Sequence, residues 1–153
     1  MTLLVHAWVL LPDAFAFARP RDARHDIANE LFGWDEAERT LRELAMEQPG
    51  SDLVVVAPHW TLCAQLHARL RGGFRVGCDS PLKDDFDGWL PRGVWRKAEH
   101  VLLVTDTRYP IDVAKAFPDR RVSRLARANI YRGGRQVRTF TLTLLSRGAH
   151  AAR

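Results

Sequence analysis

A short apolar run, Leu53 to Ala57, breaks at Pro58 and gives way to leucines at helical spacing, Leu62, Leu66 and Leu70, before Gly72-Gly73 ends the pattern. Three consecutive valines in so short a run suit a strand buried on both faces, and such strands belong to parallel sheets covered by helices. The pattern reads strand, turn, helix, and it commits the chain to an α/β architecture. In open α/β sheets ligands bind beyond the carboxyl ends of the strands, the position that His59 and Trp60 hold here.

The flanking segments extend this unit. Before it, residues 19–30 mix charges around one proline and read as an irregular crossing segment. Asp35 with Glu38 three residues on predicts a capping box for a helix over Glu36 to Glu47, with Ala37, Leu41, Leu44 and Ala45 as its buried stripe and Pro49-Gly50 as its stop. After it, Phe74 to Cys78 predicts a second parallel strand, and Asp79 to Lys97 a long loop holding two prolines, two glycines and two tryptophans. His100 to Thr105 predicts a third buried strand that delivers Asp106 and Arg108 to its carboxyl end, with a short helix around Ile111 to Phe117 beyond it. From Arg121 an antiparallel hairpin turns at Gly133-Gly134, with Phe140, Leu142 and Leu144 alternating against Thr139, Thr141 and Thr143. That alternation predicts a sheet with one face on the core. The expected fold is a single three-layer α/β domain over residues 19–153, its small, mainly parallel sheet extended by an antiparallel C-terminal hairpin.

Residues 1–18 are apolar apart from His6, Asp13 and the ends. They lack the basic start of a signal peptide and are too short and interrupted for a complete membrane span. Two readings stand: a first strand over Leu3 to Leu11, or the remnant of a last membrane helix. The net charge of +5 is uneven, because residues 101–153 carry 11 Lys and Arg against 3 Asp and Glu. Cys63 falls on the apolar side of a helix, where free cysteine behaves as a small hydrophobe, and no spacing signature pairs it with Cys78.

Signatures of phosphate-cradling loops, nucleophile elbows and zinc peptidases are missing. His59, Cys63 and His67 stand four apart, a ladder that a soft metal could use on one continuous helix, but it borders the leucine stripe and core packing is the expected reading. Asp84, Asp85 and Asp87 read as a solvated acidic loop anchored by Phe86 and Trp89. Nine arginines and no acidic residue fall between Arg120 and Arg153, which suits phosphate or anionic headgroups. Aromatic stacking platforms are sparse there, so nucleic acid is not favoured as a partner.

The order of motifs resembles a known family. Asp26-Ile27-Ala28-Asn29-Glu30-Leu31-Phe32-Gly33-Trp34 resembles the D-P-T-x-x-L-x-G-W segment that follows the last membrane helix in bacterial family 39 glycosyltransferases, relatives of the protein O-mannosyltransferases and the lipid A aminoarabinose transferase. Leu53 to Leu70 is similar to the strand, turn and apolar helix that come next in that family, and Asp84 to Trp89 to its S-Q-F/Y-D-x-W segment. The chain departs at Ile27, where the family has proline, and at His59-Trp60, where a tyrosine is usual. The resemblance implies an extracytoplasmic, periplasmic domain of a membrane enzyme that uses polyprenyl-phosphate sugars. The family's catalytic carboxylate lies among membrane helices outside this stretch. The domain is therefore expected to be non-catalytic alone, to need no cofactor or metal, and to contact the membrane surface, the parent's membrane helices, the lipid-linked sugar or the acceptor. His59, Trp60, Asp87, Trp89, Asp106 and Arg108 are the candidate ligand contacts, and Arg132, Arg135 and Arg138 the candidate phosphate or membrane contacts. A second reading is a soluble, cytoplasmic α/β enzyme or small-ligand binder with its site at the strand ends. A third is nucleic-acid binding through the arginine-rich hairpin.

Overall fold

The structure, a computed structural model, describes residues 3–4, 6–7, 22–48 and 50–148. Most of the apolar segment 1–18 lies outside them; Leu3, Leu4, His6 and Ala7 are helical, so the strand expected from Leu3 is not formed at those positions. Among the described residues no helix is long and apolar enough to cross a membrane.

Two short 3-10 turns, Ala23–His25 and Ile27–Leu31, lead into α1 (Trp34–Met46). Then follow β1 (Leu53–Ala57), α2 (Trp60–Arg69), β2 (Arg75–Cys78), the short helices α3 (Asp85–Trp89) and α4 (Arg92–Trp95), β3 (His100–Asp106), α5 (Val113–Ala116), β4 (Arg120–Arg132) and β5 (Arg135–Arg147). The expected long loop thus holds two helical turns, and both hairpin strands run further than the alternation alone predicted. The five strands order as β2-β1-β3-β5-β4, with β1 parallel to both β2 and β3 and the hairpin antiparallel beyond. The α/β sheet with an antiparallel C-terminal extension is as expected from the sequence.

Burial explains the layers. On one face α1 and α2 cover the sheet with Leu41, Leu44, Leu62, Leu66 and Leu70, which meet Val55, Leu102, Val104, Phe140, Leu142 and Leu144. On the other, Trp95 and Phe117 cover Val54, Val56, Val101, Leu103 and Leu145. Each such aliphatic side chain contributes roughly 1.5–3 kcal/mol on leaving water, which is why β1 and β3 tolerate so few polar residues. Gly133 and Gly134 take φ of 54° and 71° at the hairpin turn, the left-handed pair a two-residue connection requires.

Two expectations are corrected. The capping box at Asp35 and Glu38 is not formed: α1 starts earlier, after Gly33, with no side-chain cap. Tertiary contact sets that start, since the Trp34 indole donates to the Glu30 carbonyl at 2.6 Å and its ring lies 4.9 Å from Phe140. Asp35 reaches Arg69 at 2.6 Å and Glu38 reaches Arg42 at 2.8 Å instead. A capping box forms at α3, between Asp84 and Asp87. The second correction is Cys63, expected as a free buried thiol: it is bonded to Cys78, with Cα atoms 5.7 Å apart. Cys63 lies in the first turn of α2 and Cys78 ends β2. Because β1 and β2 are parallel, with Ala57 beside Cys78, the first turn of α2 just after β1 lies beside the end of β2, a closeness that sequence spacing does not display.

Candidate functional site

The chain passes from β1 through α2 to β2 over one face, and from β2 through α4 to β3, beside β1, over the other. This reversal makes the carboxyl ends of β1 and β3 a topological switch point, the usual ligand crevice of such sheets. Three candidate residues from the sequence, His59, Asp106 and Arg108, meet there.

Asp106 closes β3 and is almost wholly buried. Its Oδ1 accepts the backbone N–H groups of Arg108 at 3.0 Å and Tyr109 at 2.9 Å, which folds the chain into a tight turn. Its Oδ2 accepts from Arg138 Nε at 2.7 Å, with Arg138 Nη2 also at 2.7 Å. Arg138 Nη1 donates to the carbonyls of Asn29, Glu30 and Phe32, while its guanidinium carbon lies 4.7 Å from the Trp34 ring and 4.1 Å from Phe140. Burial pulls the Arg138 guanidinium down from its ordinary value, and the Asp106 carboxylate opposes that pull.

His59 ends the β1 turn. Its Nδ1 accepts the Thr61 N–H at 3.3 Å and meets the Thr61 hydroxyl at 2.5 Å, so the imidazole caps α2. Its ring stacks on Tyr109 with centroids 3.8 Å apart and planes 10° from parallel. Tyr109 in turn donates to Glu30 Oε1 at 3.4 Å, and Arg108 pairs with the same oxygen at 2.6 Å. The switch-point crevice is thereby filled by the chain's own side chains. The cavity remaining beside Asp106, Arg108 and Arg138 measures about 10 Å³, room for one water molecule.

The other candidates lie elsewhere. Trp60 is exposed at the rim, its ring 5.8 Å from His59. Asp87 caps α3 through the Asp84 N–H and accepts from Arg92 at 3.2 Å. Trp89 packs tilted on His67 at 5.0 Å and edge-to-face with Phe86 at 5.1 Å along the outer side of α2, so the Asp87–Trp89 turn does not join the His59 cluster. The His59, Cys63 and His67 ladder is divided among a cap, a disulfide and an aromatic stack, and among the described residues no group of three or more His, Cys, Asp or Glu is placed to hold a metal ion.

Arg132 and Arg138, expected to project toward phosphates or a membrane, are corrected to buried positions. Both point to the core face of the hairpin, where Arg132 donates to Asn29 Oδ1 at 2.8 Å, lies 3.9 Å from Asp26 and covers the Phe32 ring at 4.0 Å. Arg135 is exposed beside the turn. The segment Asp26 to Trp34 is therefore a clasp: Asp26 and Asn29 hold Arg132, three of its carbonyls hold Arg138, and Gly33, at φ 82°, lets Ile130 approach so closely that a Cβ there would sit 2.3 Å from that side chain. Glu30, Asn29 and Tyr109 complete this site and escaped sequence reasoning. The surplus of buried-face arginines in a hairpin with no acids of its own was the available signal for distant carboxylates and carbonyls.

The imidazole also makes acid sensitivity predictable. Burial lowers the His59 pKa from its ordinary 6.5, against a weaker upward pull from Glu30 and Asp106. The unfolded chain takes up this proton first, so the contribution is complete above about pH 6.5 and falls as pH drops toward the folded-state value. Protonation of Nδ1 also removes the acceptor that caps α2. The urea midpoint of the native chain should fall between pH 7 and pH 5 by more than that of His59→Asn, which keeps a capping side chain without a titration. Equal acid sensitivity in the two proteins would refute this role.

The chain matches no protein-family model, no curated protein and no solved structure.

Proposed function

We propose that this chain is a non-catalytic extracytoplasmic domain of a membrane glycosyltransferase that uses polyprenyl-phosphate sugars, seated over the membrane-embedded active site by the carboxyl edge of its sheet. One observation carries the reading. The first described turn after the apolar N-terminal segment, Ala23–His25, follows it by a few residues and packs on β5 at that same edge. Exposed Trp60, exposed Tyr131 and the exposed Arg135 turn lie along it. Aromatic rings with one polar end, interspersed with cations, are the side chains favoured at a membrane–water interface. The Cys63–Cys78 bridge supports a location outside the reducing cytoplasm. The filled crevice at the switch point favours this reading over a soluble enzyme with its site at the strand ends, which needs a pocket joining His59 to the Trp89 turn. The two arginines held inside the clasp weaken the case for nucleic acid.

The test is flotation of the purified chain with liposomes of neutral phosphatidylcholine, with and without phosphatidylglycerol, over a salt series. Binding should require the anionic lipid, weaken as salt rises, and drop several-fold in Trp60→Ala with Tyr131→Ala and again with Arg135→Gln. Failure to bind any vesicle at low salt would overturn the membrane-facing assignment.

A further inference from the structure

The threonines of β5 form the floor of an open trough on the sheet face opposite the clasp. Its volume is about 560 Å³, within the range of about 300–1,000 Å³ typical of small-molecule sites. Thr139, Thr141 and Thr143 alternate along β5, and Thr105 of β3 stands beside Thr141 in register. Ile111 and Val113 form one wall, and Leu125 with Arg127 of β4 the other. At one end Gln136 and Asn129 are linked through the Thr139 hydroxyl.

We propose that this trough binds an anionic saccharide, with Arg127 pairing its charge and the threonine hydroxyls and side-chain amides reading its hydroxyl groups. Three observations select that chemistry. First, β5 is an interior strand whose backbone groups are shared between β3 and β4, so the trough offers the half-buried hydroxyls of Thr139 and Thr141 and the exposed amides of Asn129 and Gln136 rather than a free edge for a peptide strand. A polyol satisfies such groups, each of which can donate and accept. Second, Arg127 is exposed and forms no ion pair or side-chain hydrogen bond among the described residues; the trough's one carboxylate, Asp106, is buried and committed to Arg138. A single cation calls for a single negative charge, carboxylate or phosphate ester, held by a planar fork. Third, the aliphatic strip of Ile111 and Val113 faces the C–H side of a sugar ring, while no aromatic ring lines the trough to stack a nucleobase. Thr139 to Thr143 spans roughly 14 Å, enough for more than one ring. The trough reaches the proposed membrane-facing edge at Gln136, the register partner of Tyr131, but its chemistry is argued without that assignment.

The experiment is an amide-resolved NMR titration of the full chain with digalacturonate, glucose 1-phosphate, lactose and inorganic phosphate, each in turn. At least one anionic sugar should shift the amides of Thr139, Thr141 and Thr143 with a millimolar or tighter Kd, and bind at least tenfold more tightly than lactose. Preference between the two anionic sugars identifies carboxylate or phosphate ester as the charge. Arg127→Gln and Thr141→Val should each weaken binding about tenfold, while Arg121→Gln, on the same strand outside the trough, should leave it unchanged; unchanged amide spectra away from the trough show that the variants are folded. Inorganic phosphate binding as tightly as the sugars, shifts located elsewhere, or no shift with either anionic sugar would each overturn the proposal.

Discussion

Replacing Arg138 with methionine should lower stability by about 3–5 kcal/mol, the cost of leaving one member of a buried ion pair without the other. The guanidinium is almost wholly enclosed and serves three purposes at once. It neutralises Asp106 through two donors at 2.7 Å, donates to three carbonyls of the clasp, and fills the gap between Trp34 and Phe140. Methionine restores much of the volume and none of the charge or donors. Asp106 then stays buried with only the turn N–H groups of Arg108 and Tyr109, and the carbonyls of Asn29, Glu30 and Phe32 lose a partner. Adding Asp106→Asn removes the stranded charge, so the double variant should cost less than the two single variants summed, with a coupling of about 1–3 kcal/mol. Urea denaturation of the four proteins measures this. The clasp should also loosen locally, seen as faster tryptic cleavage after Arg24 under native conditions. A single-variant cost below about 1 kcal/mol, or additive costs, would show that the pair is dispensable.

The contrast between Arg138 and Thr141 shows where sequence is legible. Apolar periodicity located the longer elements: the valines of β1, the leucines of α2 and the alternation along β5 each face the layers their period requires, whereas the short helices that bury Phe86 and Trp95 read as loop. Periodicity also assigned Phe140, Leu142 and Leu144 to one face of β5 and Thr139, Thr141 and Thr143 to the other. It did not assign a meaning to an arginine on the apolar face. Arg132 and Arg138 share the core face with Phe140 and Leu142, and read alone they look like cations for an outside ligand. Apart from Asp106, their partners, Asp26, Asn29 and the clasp carbonyls, lie more than a hundred residues earlier, and backbone carbonyls carry no sequence signal at all. Asp106 and His59 were found because the carboxyl end of a strand is a position that topology marks. Tyr109 and Glu30 were missed because their roles arise from stacking and charge across the crevice. The helix start at Trp34 failed for the same reason: a local capping pattern lost to an indole hydrogen bond and a ring contact that only the folded chain supplies.

Breaking the Cys63–Cys78 bridge should cost about 3 kcal/mol, as expected for a cross-link that closes a loop of about 15 residues and as its sequence separation of 15 implies. The loss should fall unevenly. β2 has four residues and lies at the end of the strand order, paired among the described residues with β1 alone, so its attachment rests on one short ladder, on its packing against α2, α3 and α4 and on the bridge. Reduction, or Cys63→Ala with Cys78→Ala, should move the urea midpoint down by roughly 1–3 M and speed amide exchange in β2 and the first turn of α2 well before the β3–β5 ladder responds. Both cysteines are buried, so an added thiol should reduce the bridge slowly in the folded chain and rapidly once urea opens β2. Identical midpoints for the oxidised and reduced chains would mean that the bridge does not form in the isolated protein, and would remove its support for an oxidising compartment. A shift of the expected size carries a further consequence. In a reducing compartment the same chain would lose a substantial part of the 5–15 kcal/mol that typically holds a domain folded, and it would lose it at the strand next to the exposed Trp60 edge. On the proposed membrane-facing reading, the edge set against the bilayer would be fixed at this short strand by a bond that oxidising compartments favour.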